Sequence, residues 1–224
     1  MAFPGSWSHG VRFPVFVEGH VGCHEKEVFM NIISSSVFAF IQREQSFSRF
    51  SFSRWQAVLA ITLLGVLTGL DPRVTAPQPG MPEGAVMSPA LAVGFSVVLV
   101  WLCFLVCVGV VRWWARRGGR WDGEGDLFNL LAAAWLLPDA LAAGLTIVGL
   151  PPVLGMALWL YSVWVAGHAL SSAVSRISLG YAITGVLISV VLMAVLMLLA
   201  SVGMGLFLMG GLPPASPAAS LGAG

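Results

Sequence analysis

The stretch "WLLPDAL", residues 135–141, puts Pro138 and Asp139 in the middle of an otherwise apolar run, Leu127 to Leu150, long enough to cross a bilayer. An ionisable group at mid-membrane costs roughly 2.5–3.5 kcal/mol on insertion scales, so Asp139 is by default a candidate for proton or ligand handling. Pro138 offers a competing explanation. It removes one backbone hydrogen bond and frees carbonyls a turn upstream, and a polar neighbour can repair such a break. At ~1.5 Å per residue, Asp139 lies ~18 Å from the start of its span. Tyr161 and Ser162 reach that depth in the antiparallel span that follows, whereas His168 falls nearer the other end. One of Tyr161 and Ser162 is therefore the expected hydrogen-bond partner. A pump or transporter normally carries several intramembrane charges, and this chain shows one, which favours a kink braced by an interhelical hydrogen bond over a titrating site.

Other chemistry-bearing residues are sparse. "HVGCHE" offers His20, Cys23 and His24 as soft-metal ligands, but a tetrahedral site needs a fourth, so no metal is expected. Cys103 and Cys107 stand at i, i+4 on one helix face with no histidine at that depth, and read as small packing residues. The chain has no CxxCH, no glycine-rich phosphate loop and no GxSxG. No catalytic residue and no cofactor are expected, and the reading is of a protein that is not an enzyme.

The elements that hold these residues follow from composition. Of 224 residues, 58% are hydrophobic and 9% charged, against roughly one-quarter charged in a globular domain. Length here counts membrane spans. A net charge of +1 gives no reason to expect a nucleic-acid partner. Five spans are expected, over residues 55–70, 90–111, 127–150, 152–170 and 181–209, making an all-α polytopic bundle over residues 55–210. Arg43, Arg49, Arg54, Arg112, Arg116, Arg117, Arg120 and Arg176 flank one side, and Arg73 alone the other. The positive-inside rule then puts the N-terminus in the cytoplasm and the C-terminus outside. Trp113, Trp114 and Trp121 fall where indole rings anchor the cytoplasmic interface.

Upstream, Ile33, Val37, Phe40, Phe47 and Phe50 recur at helical spacing opposite Gln42, Arg43 and Ser46. Residues 30–54 are read as one amphipathic helix on the cytoplasmic leaflet, with packing against the rest of the protein as the alternative. Residues 1–29 hold three of the four histidines and the sole lysine, and are set apart as an N-terminal extension without the pattern of a secretory signal. Residues 211–224, "GLPPASPAASLGAG", are expected to be disordered. Gly65/Gly69, Ala140/Gly144, Gly185/Ser189 and Ser201/Gly205 repeat the small-xxx-small spacing that lets helices approach closely in lipid, within the bundle, in a homo-oligomer or against another membrane protein.

The stretch "GEGDLFNLLAAAWLLPDAL", followed by "PPVLGMALWLYSVWVAGHALSSAVSRISLGYAI", resembles the Yip family. The similar features are Gly123 and Gly125 before the third span, Phe128, Pro138, "LWLYSVWVAG" with Tyr161 and Gly167, and the turn "RISLG". The likeness covers roughly Asn31 to Gly210 and is of the bacterial form, since the eukaryotic acidic motif ending in Gly-Pro is absent. It implies five spans, N inside and C outside, and a non-enzymatic role in shaping membranes or scaffolding partner proteins in the bacterial inner membrane. It brings no catalytic residue. Two other roles stay open on the sequence: an accessory subunit of a larger, energy-transducing membrane complex, and a small transporter or channel using Asp139.

Overall fold

The computed structural model describes residues 24–75 and 87–210, and the described residues form helices joined by short turns, with no strand among them. Helix α1 spans His24–Phe40, α2 Arg54–Gly69, α3 Pro72–Thr75, α4 Pro89–Arg117, α5 Leu127–Ile147, α6 Pro152–Ala173 and α7 Leu179–Gly210, with a 3-10 turn at Phe47–Phe50. Four of these are long and apolar enough to cross a membrane: α4, α5, α6 and α7. The expected fifth span, α2, has 16 residues, ~24 Å at 1.5 Å per residue and short of a ~30 Å core. Among the described residues, four helices are therefore long and apolar enough to span, with one shorter apolar helix.

Local chemistry sets the ends. Ser88 Oγ caps α4 by accepting from Leu91 N (3.3 Å), with Pro89 in the first turn. Asp126 Oδ1 caps α5 by accepting from Phe128 N and Asn129 N, and its Oδ2 accepts from Arg54 Nε at 3.0 Å. Helix α4 runs past the expected Val111 to Arg117, because nothing in "RWWARR" breaks a helix until Gly118 and Gly119, the latter with φ 61°. Gly149, φ 84°, turns the chain between α5 and α6.

The packing closes on itself. Helix α2 packs on α4, α4 on α7, α7 on α6, α6 on α5, and α5 back on α2. Five helices thus form a ring, and α1 docks outside it on α5 and α6. The GxxxG of α2 makes the first of these contacts: a Cβ on Gly65 would lie 2.7 Å from Val97 Cα, and one on Gly69 2.5 Å from Val93 Cα. Gly185 sits under the Trp114 indole, and Ser189, fully buried, donates to the Val186 carbonyl at 2.6 Å with Cys107 Sγ 3.4 Å from its Oγ.

Two expected packing pairs behave differently. Ala140 packs on the core, but a Cβ on Gly144 would meet nothing within 4 Å. Gly205 likewise faces open space, and Ser201 is exposed, its hydroxyl turned back to the Met197 carbonyl at 2.8 Å. Among the described residues, Ser201/Gly205 makes no helix–helix contact.

The N-terminal segment departs most from expectation. Helix α1 begins at His24, across the boundary drawn at residue 30, and ends at Phe40 instead of running on to residue 54. Gln42 takes φ 57°, and the chain doubles back: Gln45 Nε2 donates to the Ser35 carbonyl and Ser35 Oγ to the Arg49 carbonyl. The helical spacing counted from Ile33 to Phe50 therefore runs across a reversal. Ile32, Ser35, Ser36 and Ala39 face the bundle, while Ile33, Val37 and Ile41 face out. Phe50 is fully buried and Phe47 packs on the core, so neither is an interfacial anchor. Asn129 holds this segment, its Nδ2 donating to the Phe50 carbonyl at 3.0 Å and the Phe52 carbonyl at 2.6 Å.

The tryptophans divide as well. Trp113 is exposed, with the Arg117 guanidinium over its ring. Trp114 stacks on Tyr181, and Trp121 is buried beneath Arg112 and Arg116. Only Trp113 presents its ring outward as an interfacial anchor would; Trp121 is removed from that role by its burial.

Candidate functional site: a cavity on the ring axis

All five ring helices line one cavity of about 500 Å³. Leu64 and Thr68 come from α2, Val100, Cys103 and Cys107 from α4, Trp135, Asp139 and Thr146 from α5, Met156, Trp159 and Ser162 from α6, and Val186, Val190 and Met193 from α7. One end reaches Cys107, Asp139 and Ser162. The other lies among Asp71, Thr146 and Gly155, at the ends of α2 and α5 and the start of α6. Its walls are apolar, and its volume falls within the 300–1,000 Å³ typical of small-molecule sites.

Pro138 determines how Asp139 is presented. Proline in a helix interior breaks the hydrogen-bond ladder and crowds the preceding turn. Next to it α1 ties the helix in, since Leu137 N donates to Ser36 Oγ at 3.0 Å. Tyr161 is turned the same way. Its hydroxyl donates to the Phe40 carbonyl at 2.6 Å and accepts from Gln42 Nε2 at 3.3 Å, and its ring meets Phe40 edge-on. Of the two expected partners, Tyr161 thus belongs to the α1 dock and leaves Asp139 alone.

Ser162 is the side chain that meets the Asp139 carboxyl, but its one hydroxyl proton goes to the Trp159 carbonyl at 2.7 Å. Asp139 Oδ1 is buried with no hydrogen-bond partner. An orphaned buried acceptor is costly and rare in a native fold. Pro138 and Asp139 are neighbours with separate fates: the turn at Pro138 is tied to α1 through Ser36, and Asp139 lines the cavity.

Three residues escaped the sequence reading. Ser36 lies in a run of three serines, and only the position of α1 reveals its role. Asn129 carried a signal, a lone amide in the first turn of an apolar helix. Trp159 read as one tryptophan of many and becomes distinctive through the cavity. Cys103 and Cys107 are buried free thiols on the cavity wall. No group of three metal-ligating side chains occurs among the described residues; His20 and Cys23 lie outside them, as do residues 211–224. Comparison with family models, with curated proteins and with solved structures gives no match.

Proposed function

We propose that this chain is a non-enzymatic, Yip-like integral membrane protein of the bacterial inner membrane that organises the membrane or scaffolds partner proteins. In this reading α2, locally thinning the bilayer, is the fifth span, the N-terminus is cytoplasmic and the C-terminus outside. The observation that carries it is the free end of α7. At 32 residues this helix extends ~16 Å beyond the length of α5, and no residue from Ala194 to Phe207 is buried. Ser201, Gly203 and Gly205 leave that end smooth enough for another transmembrane helix to approach closely.

The test is co-purification in mild detergent, comparing the natural chain with Ser201→Leu/Gly205→Leu. A partner or second copy that is lost from the double variant supports scaffolding, and a stoichiometric partner from a larger complex assigns the accessory-subunit form of the role. A natural chain that purifies alone as a monomer overturns it. Cysteines substituted at Arg117 and Arg176 should label from the cytoplasm, and those at Gly80 and Ala218 from outside. Labelling of Arg117 and Gly80 from one side sinks the five-span topology.

The cavity favours a second reading, a small transporter using Asp139. A central, ring-lined space with one carboxylate oxygen left without a partner is more than a helix-interior proline requires.

A further inference from the structure

The geometry points to the ring cavity as a binding site for a lipophilic organic cation, held with its charge at Asp139 and its apolar groups against Trp135, Trp159 and Met193. The inference concerns binding alone, and stands whether or not the protein scaffolds partners or moves its ligand.

The occupant's chemistry follows from what lines the space. Apolar walls would accept a lipid tail as readily as any hydrophobic molecule, but a tail leaves Asp139 Oδ1 without a partner. The occupant must therefore bring a positive charge or a donor of its own. Two carboxyls line the cavity, Asp139 at its inner end and Asp71 at the other, and no lysine, arginine or histidine is among the described side chains around it. Arg73, near the outer end, directs its guanidinium to the Leu150 carbonyl at 3.0 Å. Fatty acids and phosphate head groups would meet two carboxyls and no basic side chain on the cavity lining, which fits them poorly.

Between a neutral donor and a cation, the aromatic residues decide. Trp135 and Trp159 border the same space as Asp139, and indole faces attract cations, the more strongly when water is excluded. Met156, Met193 and Met197 are unbranched and polarisable, so the wall adapts to bulky organic groups. Asp71, at the outer end with Thr68 and Thr146, places a first negative charge where such a ligand enters.

The experiment is equilibrium dialysis of the purified full chain, in lipid nanodiscs, against radiolabelled tetraphenylphosphonium. The expected result is saturable binding of one equivalent, weakened on the order of a hundredfold in Asp139→Asn because the buried charge loses its counter-ion. Trp159→Leu should weaken it about tenfold. Asp71→Asn, at the entrance, should have the smallest effect of the three. Gly155→Leu provides a variant that leaves the carboxyl in place and fills the space from the α6 side, where a Cβ would lie 3.6 Å from Thr146 Oγ1. It should abolish binding with an unchanged melting temperature, and it decides the matter if Asp139→Asn does not fold. Absence of saturable binding to the natural chain overturns the inference. So does equal affinity in a folded Asp139→Asn, or equal competition by neutral triphenylphosphine oxide.

Discussion

From Leu127 to Ala134, α5 buries every residue but Phe128; from Asp139 to Ile147 it buries none. The composition of the two halves barely differs, since both are leucine, alanine and little else. Their surroundings differ. The first half is wedged between α2, α6 and the returning N-terminal segment, with Phe104 set edge-on to Phe128 and Trp135 at 5.0 and 5.5 Å. The second half borders the cavity. Helix α7 repeats the contrast, with Ala182, Gly185, Val186, Ser189 and Met193 buried and no residue buried from Ala194 to Phe207. Along α5 and α7 the arginine-rich end is closely packed and the other end is not, with Pro138 at the junction in α5, while α2 stays tight on α4 to its far end at Gly69.

Core truncation should separate the halves most sharply. Leu130→Ala and Leu131→Ala each remove a fully buried side chain and should lower stability by about 2–5 kcal/mol. Leu141→Ala, 42% exposed, should stay within about 0.5 kcal/mol. Thermal unfolding in one detergent compares them. A loss at Leu141 equal to that at Leu130 would erase the distinction.

Glycines give the next largest contrast. Gly65→Ala and Gly69→Ala force a methyl against the α4 backbone and should cost about 1–3 kcal/mol. Gly144→Ala meets open space and should be neutral or gain up to about 1 kcal/mol from helix propensity. Melting temperatures of the three variants check the order, and destabilisation by Gly144→Ala would mean that the far half is packed after all.

Much of this was legible in the sequence, and the boundary is instructive. The all-helical fold, the four long apolar helices and the α2 GxxxG contact follow from hydropathy, small-residue spacing and turn residues, all local signals. The extent of α2 was legible too, 16 residues in sequence and structure alike, but apolar character alone does not say whether so short a helix crosses a ~30 Å core. The N-terminal helix was overextended because periodicity cannot see a chain reversal, and residues with φ near +57°, such as Gln42, carry no strong sequence mark unless they are glycine. At the candidate site, Asp139 stood out by its charge. Its partner could not be read, because Tyr161 and Ser162 are adjacent and point about 100° apart around α6, one toward α1 and one toward the cavity. Ser36 became visible only once α1 was placed.

Ser36→Ala removes the acceptor for Leu137 N and should cost about 0.6–1.7 kcal/mol, the scale of interhelical hydrogen bonds in membranes. Asp139 has no such bond to lose at Oδ1. The direct test of the division between a structural and an open half of α5 is therefore the thermal stability of Asp139→Leu beside that of Ser36→Ala. The account predicts that Asp139→Leu melts at or above the natural chain, the leucine having the cavity to occupy, while Ser36→Ala melts below it. An Asp139→Leu protein destabilised as much as Ser36→Ala, with no further loss in the double variant, would contradict it and make Asp139 part of the kink.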